Sequence, residues 1–569
     1  MVPLPLFPLV FFVLSALFLT LSSVISSSNK KSKLAILNAY IWTGAKKKPL
    51  AQAIAVENSI IVAVGSNEEI QAFIDEKTLV IDAKGRMITP GFIDSHLHLL
   101  EGGLRLASVQ LRDANSKELF IRRIAEFAQK ISPGEWITGG DWDHSLWGGE
   151  VPSAEWIDNV TPHNPVWVSR LDGHMALANS KALEIASVSA STKDVAGGTI
   201  VRDSKGKPTG IFKDNAMNLI EQFVATPTKE MKERALQSAT GYLFQNGVTS
   251  VHHLGTWEDL HFLQHAHQKN QLKIRIYAAV PIASFEKLHQ FIQKNGVGDS
   301  WLKIGGLKGF ADGSLGSHTA AFFEPFLDAP DNSGFLVNSP ETLYEWISQS
   351  DKLGLQPIVH AIGDRANHIL LDIYERVIAE NENQNRRFRI EHAQHLCAED
   401  IPRFGKLGII ASMQPYHLID DGRWAEKVIG AERAKTTHAF KSLLETAAKL
   451  AFGSDWYVAP PDPIMGIYAA VTRRTLDEKH PHGWVPEQKI SVEQALRGYT
   501  IDAAFASFDE KMKGSLEPGK LADLVMLDKN IFTTPPEKIR DVQVAMTIVN
   551  GEIVFQNFTA EYLEPADLR

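Results

Sequence analysis

The stretch Ile88–His98, ITPGFIDSHLH, decides the fold. It joins a short apolar run to two histidines at alternate positions, and alternate residues of a β-strand share one face. Both imidazoles can therefore leave one strand end toward one place. An HxH tripeptide alone means little: 20 histidines in 569 residues give about 0.7 such pairs by chance, and the chain has three. His265 and His267 lie in a polar stretch that predicts a helix, where residues two apart point in different directions. His480 and His482 flank Pro481 in a loop. Only His96 and His98 end an apolar strand.

Seven further runs of strand type follow: GVTSVHHLG (247–255), KIRIYAAV (273–280), WLKIGGLKGF (301–310), LQPIVHA (355–361), RFRIEHA (387–393), GIIASMQP (408–415) and LAFGSDW (450–456). They alternate with longer helical patterns, the rhythm of β/α units on a parallel sheet. Eight such strands predict a closed (β/α)8 TIM barrel over residues 91–510. The piece from about 99 to 247 is too long for a single crossover helix and must contain an insertion. Active sites of such barrels gather at the carboxyl ends of the strands. There stand Lys308, His360, His392 and Asp455, beside the pair His96 and His98. Any one alone reads more simply as a satisfied core histidine or a surface lysine. Five strands that all end in ligand-type residues are hard to obtain by accident. His252, His253, His368, His395 and His417 are read as pocket or structural residues.

Both flanks of the barrel have a different texture. From Leu34 to about Met87 short strands alternate with turns, one at Glu57-Asn58-Ser59, and the same pattern returns in GSLEPGKLADLVMLD and VQVAMTIVNGEIVFQ. Asn550-Gly551 in the latter is a strong two-residue hairpin turn. Residues 34–90 and 511–569 are expected to form one small β-sandwich domain. Residues 1–33 stand outside the fold as a signal peptide or membrane anchor with its linker. Within them Leu9–Ile25 carries no charge and no helix breaker, and at about 1.5 Å per residue it is just long enough to span a bilayer. Retained, it would tether the protein to an endomembrane, the endoplasmic reticulum or the perinuclear membrane; cleaved, it would mark a secreted protein. Lys30, Lys31 and Lys33 follow the apolar run, which by the positive-inside tendency leaves the barrel cytosolic.

Composition narrows the chemistry. With 44% hydrophobic and 22% charged residues the chain is an ordinary globular protein with a large core. A net charge of -9 argues against wide nucleic-acid contact, which needs a surplus of Lys and Arg. The expected partner is a small-molecule substrate, and the expected assembly a homodimer. Cys397 is the only cysteine, so no intramolecular disulfide and no thiolate cluster can form. Any metal must sit on nitrogen and oxygen ligands, a set that suits zinc best, although manganese, iron and nickel accept it.

The blocks PGFIDSHLH, KGFADGSLGSHTA, HAIGDRA, RIEHAQ, FGSDW and GSLEPGKLADLVMLD, spread between Leu34 and Phe555, resemble the amidohydrolase superfamily and within it amidohydrolase family 3, the group similar to N-substituted formamide deformylase. The resemblance implies two divalent metals, zinc by expectation: His96, His98 and Asp455 hold one, His360 and His392 the other, and a carboxylated Lys308 bridges both. An ammonium beside two dications would be repelled, whereas a carbamate is anionic and offers two oxygens. A single-metal site stays open. Asp455 is assigned as the general base that takes a proton from the attacking water and passes it to the leaving amine. The implied reaction is hydrolysis of a carbon-nitrogen bond in a non-peptide amide or formamide-like small molecule. Ester hydrolysis is the alternative within enzymes. Among plant members the chain is similar to one named for far-red light signalling, so a membrane-tethered regulatory protein that keeps the fold is the alternative from another class.

Substrate contacts are less sharply marked. Arg170, Asp172 and His174 in SRLDGHMALANS resemble a family block near the active site. Trp142 belongs to a cluster with Trp136, Trp147, Trp156 and Trp167 that either lines an apolar pocket over the metals or packs the insertion against the barrel. Gln414 is a further candidate contact, or with Asp312 and Arg365 a support for the ligands.

Overall fold

The computed structural model describes residues 33–224, 227–382 and 385–557. Its centre is an eight-stranded sheet in sequential order, every paired neighbour parallel. The strands are β1 (Phe92–Leu97), β2 (Val248–Leu254), β3 (Arg275–Pro281), β4 (Leu302–Phe310), β5 (Gln356–Ala361), β6 (Arg389–His392), β7 (Ile410–Met413) and β8 (Lys449–Phe452). A parallel sheet covered by helices is buried on both faces, so its strands need not alternate in polarity; β2 is buried at every position. The barrel predicted from ITPGFIDSHLH outward is the fold.

Its seam lies beside the two histidines. Leu97 bridges to Trp456 in parallel, the Asp455 N–H donates to the His96 carbonyl at 2.6 Å, and the His98 N–H donates to the Trp456 carbonyl at 2.7 Å. Asp94 staples the same seam, accepting from the backbone N–H of His96 at 3.1 Å and of Ser454 at 3.0 Å, and from the Ser454 hydroxyl at 2.5 Å. The closure of the barrel and the placement of His96 and Asp455 are one set of contacts.

Helices Lys229–Gln245, Trp257–Gln268, Phe285–Asn295, Pro340–Lys352 and Asp364–Glu380 run between successive strands. Thr228, Thr256 and Ser339 cap three of them with side-chain oxygens, satisfying backbone N–H groups that have no partner within the helix. Leu243, Leu263, Leu288, Ile347 and Leu370 point from these helices into one continuous core with the barrel strands.

The two flanks pack as a sandwich. One sheet runs Ile60–Gly65, Ala53–Glu57, Lys33–Leu37, Thr78–Asp82; the other runs Glu552–Gln556, Val544–Val549, Leu524–Leu527, Met87–Pro90, Tyr40–Trp42, Leu50–Ala51. Ile36, Ile54 and Ile81 from the first meet Ile88, Leu524 and Met546 from the second in one buried cluster. Asn550 and Gly551 turn the last hairpin with φ of 57° and 78°, the pair of positive angles that a type I′ turn requires. Arg275 on β3 pairs with Asp523 of the sandwich at 2.5 Å, which ties the sandwich to the outside of the barrel.

The long crossover from β1 to β2 starts with helix Leu99–Arg105 and ends with helix Lys229–Gln245. Between them it builds a six-stranded sheet in the order Gly198–Arg202, Pro208–Asp214, Met175–Ala178, Trp167–Arg170, Gly139–Trp142, Val109–Gln110. This inserted sheet has its own core, in which Trp142, Phe120, Val168, Leu177 and Ile211 meet. The apolar stretch at residues 9–25 lies outside the described residues. Among the described residues no helix is long and apolar enough to cross a membrane.

Candidate metal centre

β1 and the residue after it supply His96 and His98, β4 supplies Lys308, β5 His360, β6 His392, and the segment after β8 Asp455. All six line one cavity of about 180 Å³. Asp455 Oδ1 stands 3.2 Å from His96 Nε2 and 3.3 Å from His98 Nε2. The His392 ring lies 5.1 Å from that of His96 and 4.5 Å from that of His360, centroid to centroid. Lys308 Nζ is 3.5 Å from His96 Nε2. Residues spread over 359 positions of sequence thus converge within a few ångströms, and the six candidates read from strand ends are brought together.

Each imidazole is tied at one nitrogen to an oxygen that accepts. His96 Nδ1 donates to Glu391 Oε2 at 2.5 Å, His98 Nδ1 to the Leu254 carbonyl at 2.8 Å, His360 Nε2 to the Gly313 carbonyl at 3.0 Å, and His392 Nδ1 to Gln414 Oε1 at 2.8 Å. The tied nitrogen must carry the proton, so a neutral ring keeps its other lone pair for a ligand bond. Four oriented imidazoles around a carboxylate form a nitrogen and oxygen donor set that fits a divalent metal of the zinc type.

The electrostatics follow from burial against pairing. Burial alone would raise the Glu391 carboxyl, but the Arg389 guanidinium at 2.8 Å and His96 outweigh it and bring it down to about 2. Asp455 likewise resists burial: His96 and His98 hold its carboxyl well below the usual range. Burial pulls the Lys308 ammonium down to about 8, against the opposing pull of Glu391 and Asp455. For Asp312 burial wins and raises the carboxyl to about 7, although it accepts backbone N–H groups of Ala321, Ile362 and Gly363. Asp312 Oδ1 is 3.5 Å from His360 Nε2, so this residue supports the loop on which His360 leans.

The inserted sheet walls the cavity on one side. Arg170 ends the strand Trp167–Arg170 and pairs with Asp172 at 2.7 Å and with Asp143 at 3.6 Å. Asp143 in turn meets Arg423 at 3.1 Å. His174 Nδ1 donates to Asp214 at 2.7 Å, and its ring stands 5.1 Å from that of His360. Arg170, Asp172 and His174 all line the cavity. Trp142, Gln414 and Arg365 do not. Trp142 is buried in the core of the insertion, its indole N–H donating to the Val168 carbonyl at 2.9 Å. A large aromatic sealed in the core against one face of a sheet is used up by packing. Gln414 is spent on His392. Cys397 is half-buried, and burial with nearby Asp364 pushes its thiol up to about 12, far from a thiolate nucleophile.

Several members of the site escape a reading of strand ends. Glu391 and Arg389 lie within β6 and point inward, where Arg389 also reaches the Ser95 carbonyl at 2.7 Å and His252 Nδ1 at 3.0 Å. The alternation of charged residues with Phe388 and Ile390 in RFRIEH is the signal that marks them. The carbonyls of Leu254 and Gly313 have no side-chain signature. Asp143, Asp420 and Asp421 line the cavity from loops and a helix end, where an acidic residue is commonplace.

Comparison with known proteins agrees with this geometry. Residues 79–555 match the model of the amidohydrolase family. Protein LONG AFTER FAR-RED 3 of Arabidopsis thaliana is 42% identical over 551 residues, covering 94% of both chains. N-substituted formamide deformylase of Arthrobacter pascens is 27% identical over 554 residues, covering 92% of this chain and 98% of that one. The crystal structure of an uncharacterized metal-dependent hydrolase from Pyrococcus horikoshii superposes with a TM-score of 0.72 at 29% identity, covering 89% of this chain and 99% of that one. The chain, with its closed barrel, flanking sandwich and convergent histidines, belongs to the amidohydrolase family.

Proposed function

We propose that this chain is a metal-dependent hydrolase of carbon-nitrogen bonds in small, non-peptide amides of the formamide type. The observation that carries the reading is the set of four histidines, each held by one nitrogen and all lining one cavity with Asp455, whose carboxylate stands 3.2 Å from His96 Nε2 and 3.3 Å from His98 Nε2. A cavity of about 180 Å³ admits a small molecule and excludes a folded polypeptide. When bound, a divalent metal polarises a carbonyl and lowers the pKa of water from about 15.7 toward 7. His96, His98 and Asp455 would hold one such ion and His360 and His392 a second.

The remaining steps belong to side chains. Asp455, held ionised, accepts the proton of the attacking water and returns it to the leaving nitrogen, a transfer that an amine needs and that an alkoxide of an ester needs less. Lys308, carboxylated, would add an anionic oxygen donor to the two ligand groups between which it lies in the cavity lining. Its amine attacks carbon dioxide, the new N–C bond forms, and one proton leaves to solvent. The buried, depressed ammonium favours this, because only the neutral amine is a nucleophile. Phe310 and Tyr457 give the cavity aromatic lining against which the apolar part of a substrate would rest.

Two readings compete with this one, ester hydrolysis and a regulatory protein that keeps the fold without turnover. The 42% identity to Protein LONG AFTER FAR-RED 3 favours attention to the second; the complete ligand set argues for chemistry. Zinc-loaded protein assayed on N-substituted formamides, acyl amides and matched esters separates them. Turnover of the formamides that is lost in Asp455→Asn supports the proposal. Preference for the esters, or no turnover at full metal occupancy, overturns it.

A further inference from the structure

His417 sits on helix Pro415–Asp421, after β7, a strand that supplies none of the six ligands. Its ring stacks on that of His392 with centroids 6.2 Å apart and planes 11° from parallel. Ligand-type atoms of His417, His392 and Asp455 all lie within 4.8 Å of one another. The same turn fixes both rings: the Gln414 side chain holds His392, while the Gln414 carbonyl accepts the backbone N–H of His417 at 3.1 Å. His417 is thus aimed by the structure that aims a ligand.

Its Nε2 is buried and has no hydrogen-bond partner. His252, His253 and His438 also have a buried nitrogen without a partner, but of these four only His417 lines the metal cavity. A buried polar nitrogen is normally satisfied, and one that faces a reacting centre is matched to a group that arrives there. Three kinds of group fit: a metal, a structural partner or an oxygen of the substrate. The four ligand histidines are each locked through their second nitrogen by an accepting oxygen, and among the described residues no such lock is found on His417. A structural partner would already be in place.

We infer that His417 donates a hydrogen bond from Nε2 to the oxygen of the scissile carbonyl, an inference that rests on the reading of the site as a carbonyl hydrolase. The imidazole acts as a neutral donor. The oxygen gains negative charge as water adds to the carbonyl carbon, so the bond strengthens from bound substrate to transition state. Loss of one such donor costs about 10²–10³-fold in kcat. His417 is therefore a catalytic residue that touches the reacting atoms, distinct from the set that holds metal.

The test compares wild-type, His417→Ala and His417→Gln full-length chains loaded with zinc. Elemental analysis gives metal per chain, steady-state kinetics on the best formamide gives kcat and KM, and calorimetry gives the affinity for acetohydroxamate, whose carbonyl oxygen mimics that of the substrate. Zinc content should be the same in all three. His417→Ala should lose about 10²–10³-fold in kcat with little change in KM, and His417→Gln should recover part of it because its amide can donate. Acetohydroxamate should bind His417→Ala at least about tenfold more weakly. A fall in zinc content would make His417 a ligand and overturn the inference; so would unchanged kcat or unchanged acetohydroxamate affinity. If wild-type protein with full zinc turns over no carbonyl substrate, the proposed function fails, and the acetohydroxamate comparison alone decides the role of His417.

Discussion

Glu391 Oε2 accepts a hydrogen bond from His96 Nδ1 at 2.5 Å while Oε1 accepts one from Arg389 Nε at 2.8 Å, and none of the Glu391 side chain is exposed. One carboxylate thus sets the tautomer of a ligand histidine and neutralises a guanidinium sealed inside the barrel. Glu391→Gln removes the charge and keeps the shape. Metal affinity should fall by about 10–100-fold, read by competition with a chelator. The uncompensated Arg389 should also destabilise the metal-free protein by about 3–5 kcal/mol in denaturant melts. Wild-type affinity in the variant would mean that His96 is oriented by packing instead.

Gly453 tests the seam on which the site is built. A Cβ there would stand 2.6 Å from the His96 backbone nitrogen and 2.8 Å from Asp94 Oδ1, and neither atom has room to retreat without moving His96 or the Asp94 staple. Gly453→Ala should cost about 1–3 kcal/mol as an overpacked core and should lower bound metal, although no ligand is changed. Gly241 is the contrast. It lies in helix Lys229–Gln245 with nothing within 4 Å of its added Cβ, so Gly241→Ala should stabilise the chain by about 1 kcal/mol. Equal metal content in both variants would detach the seam from the site.

What was legible in the sequence follows from which physical rules act locally. Strand ends in a parallel barrel are local: His96, Lys308, His360, His392 and Asp455 each close an apolar run, and the chain must place such ends on one face. The Asn550-Gly551 turn is local for the same reason, since two positive φ angles are needed in succession. Glu391 is harder, because its meaning depends on His96, 295 positions away, and its own segment shows only that charged residues alternate with Phe388 and Ile390. His417 is harder still. Its ring acquires a role only from the stack on His392 and the approach to Asp455. Tryptophans 142 and 167 show the converse, where residue type suggested two uses and only the packing of the inserted sheet chose between them.

That choice can be measured. Trp142→Ala should cost about 3–5 kcal/mol, the usual penalty for emptying a buried aromatic site. If Trp142 serves only the core of the insertion, Trp142→Phe should restore most of the stability and leave KM within about twofold of wild type. A large rise in KM for the stable Phe variant would return the residue to the substrate.

Besides the ligands, the cavity is lined by four carboxylates, Asp143, Asp172, Asp420 and Asp421, and by Arg170, while Arg423 pairs with two of the four. Asp143 pairs with Arg170 and Arg423, Asp172 with Arg170, and Asp420 with Arg423. Asp421 has no such ion pair among the described residues and receives instead the Gln394 amide N–H at 2.8 Å. Burial first, and then Asp420, push its carboxyl up to about 8. The folded protein therefore keeps a proton that the unfolded chain, with an ordinary value of 3.8, releases. Where the native state binds more protons, stability falls as pH rises, here across the window from about 4 to about 8, by at most about 1.4 kcal/mol per pH unit. Asn keeps an acceptor for Gln394 and has no proton to lose. Asp421→Asn should accordingly raise the Tm, by a margin that is larger at pH 8 than at pH 5. A margin that stays constant between those two pH values, measured by calorimetry on the same metal-loaded preparations, would mean that Asp421 is already ionised in the folded protein and that a cation satisfies it.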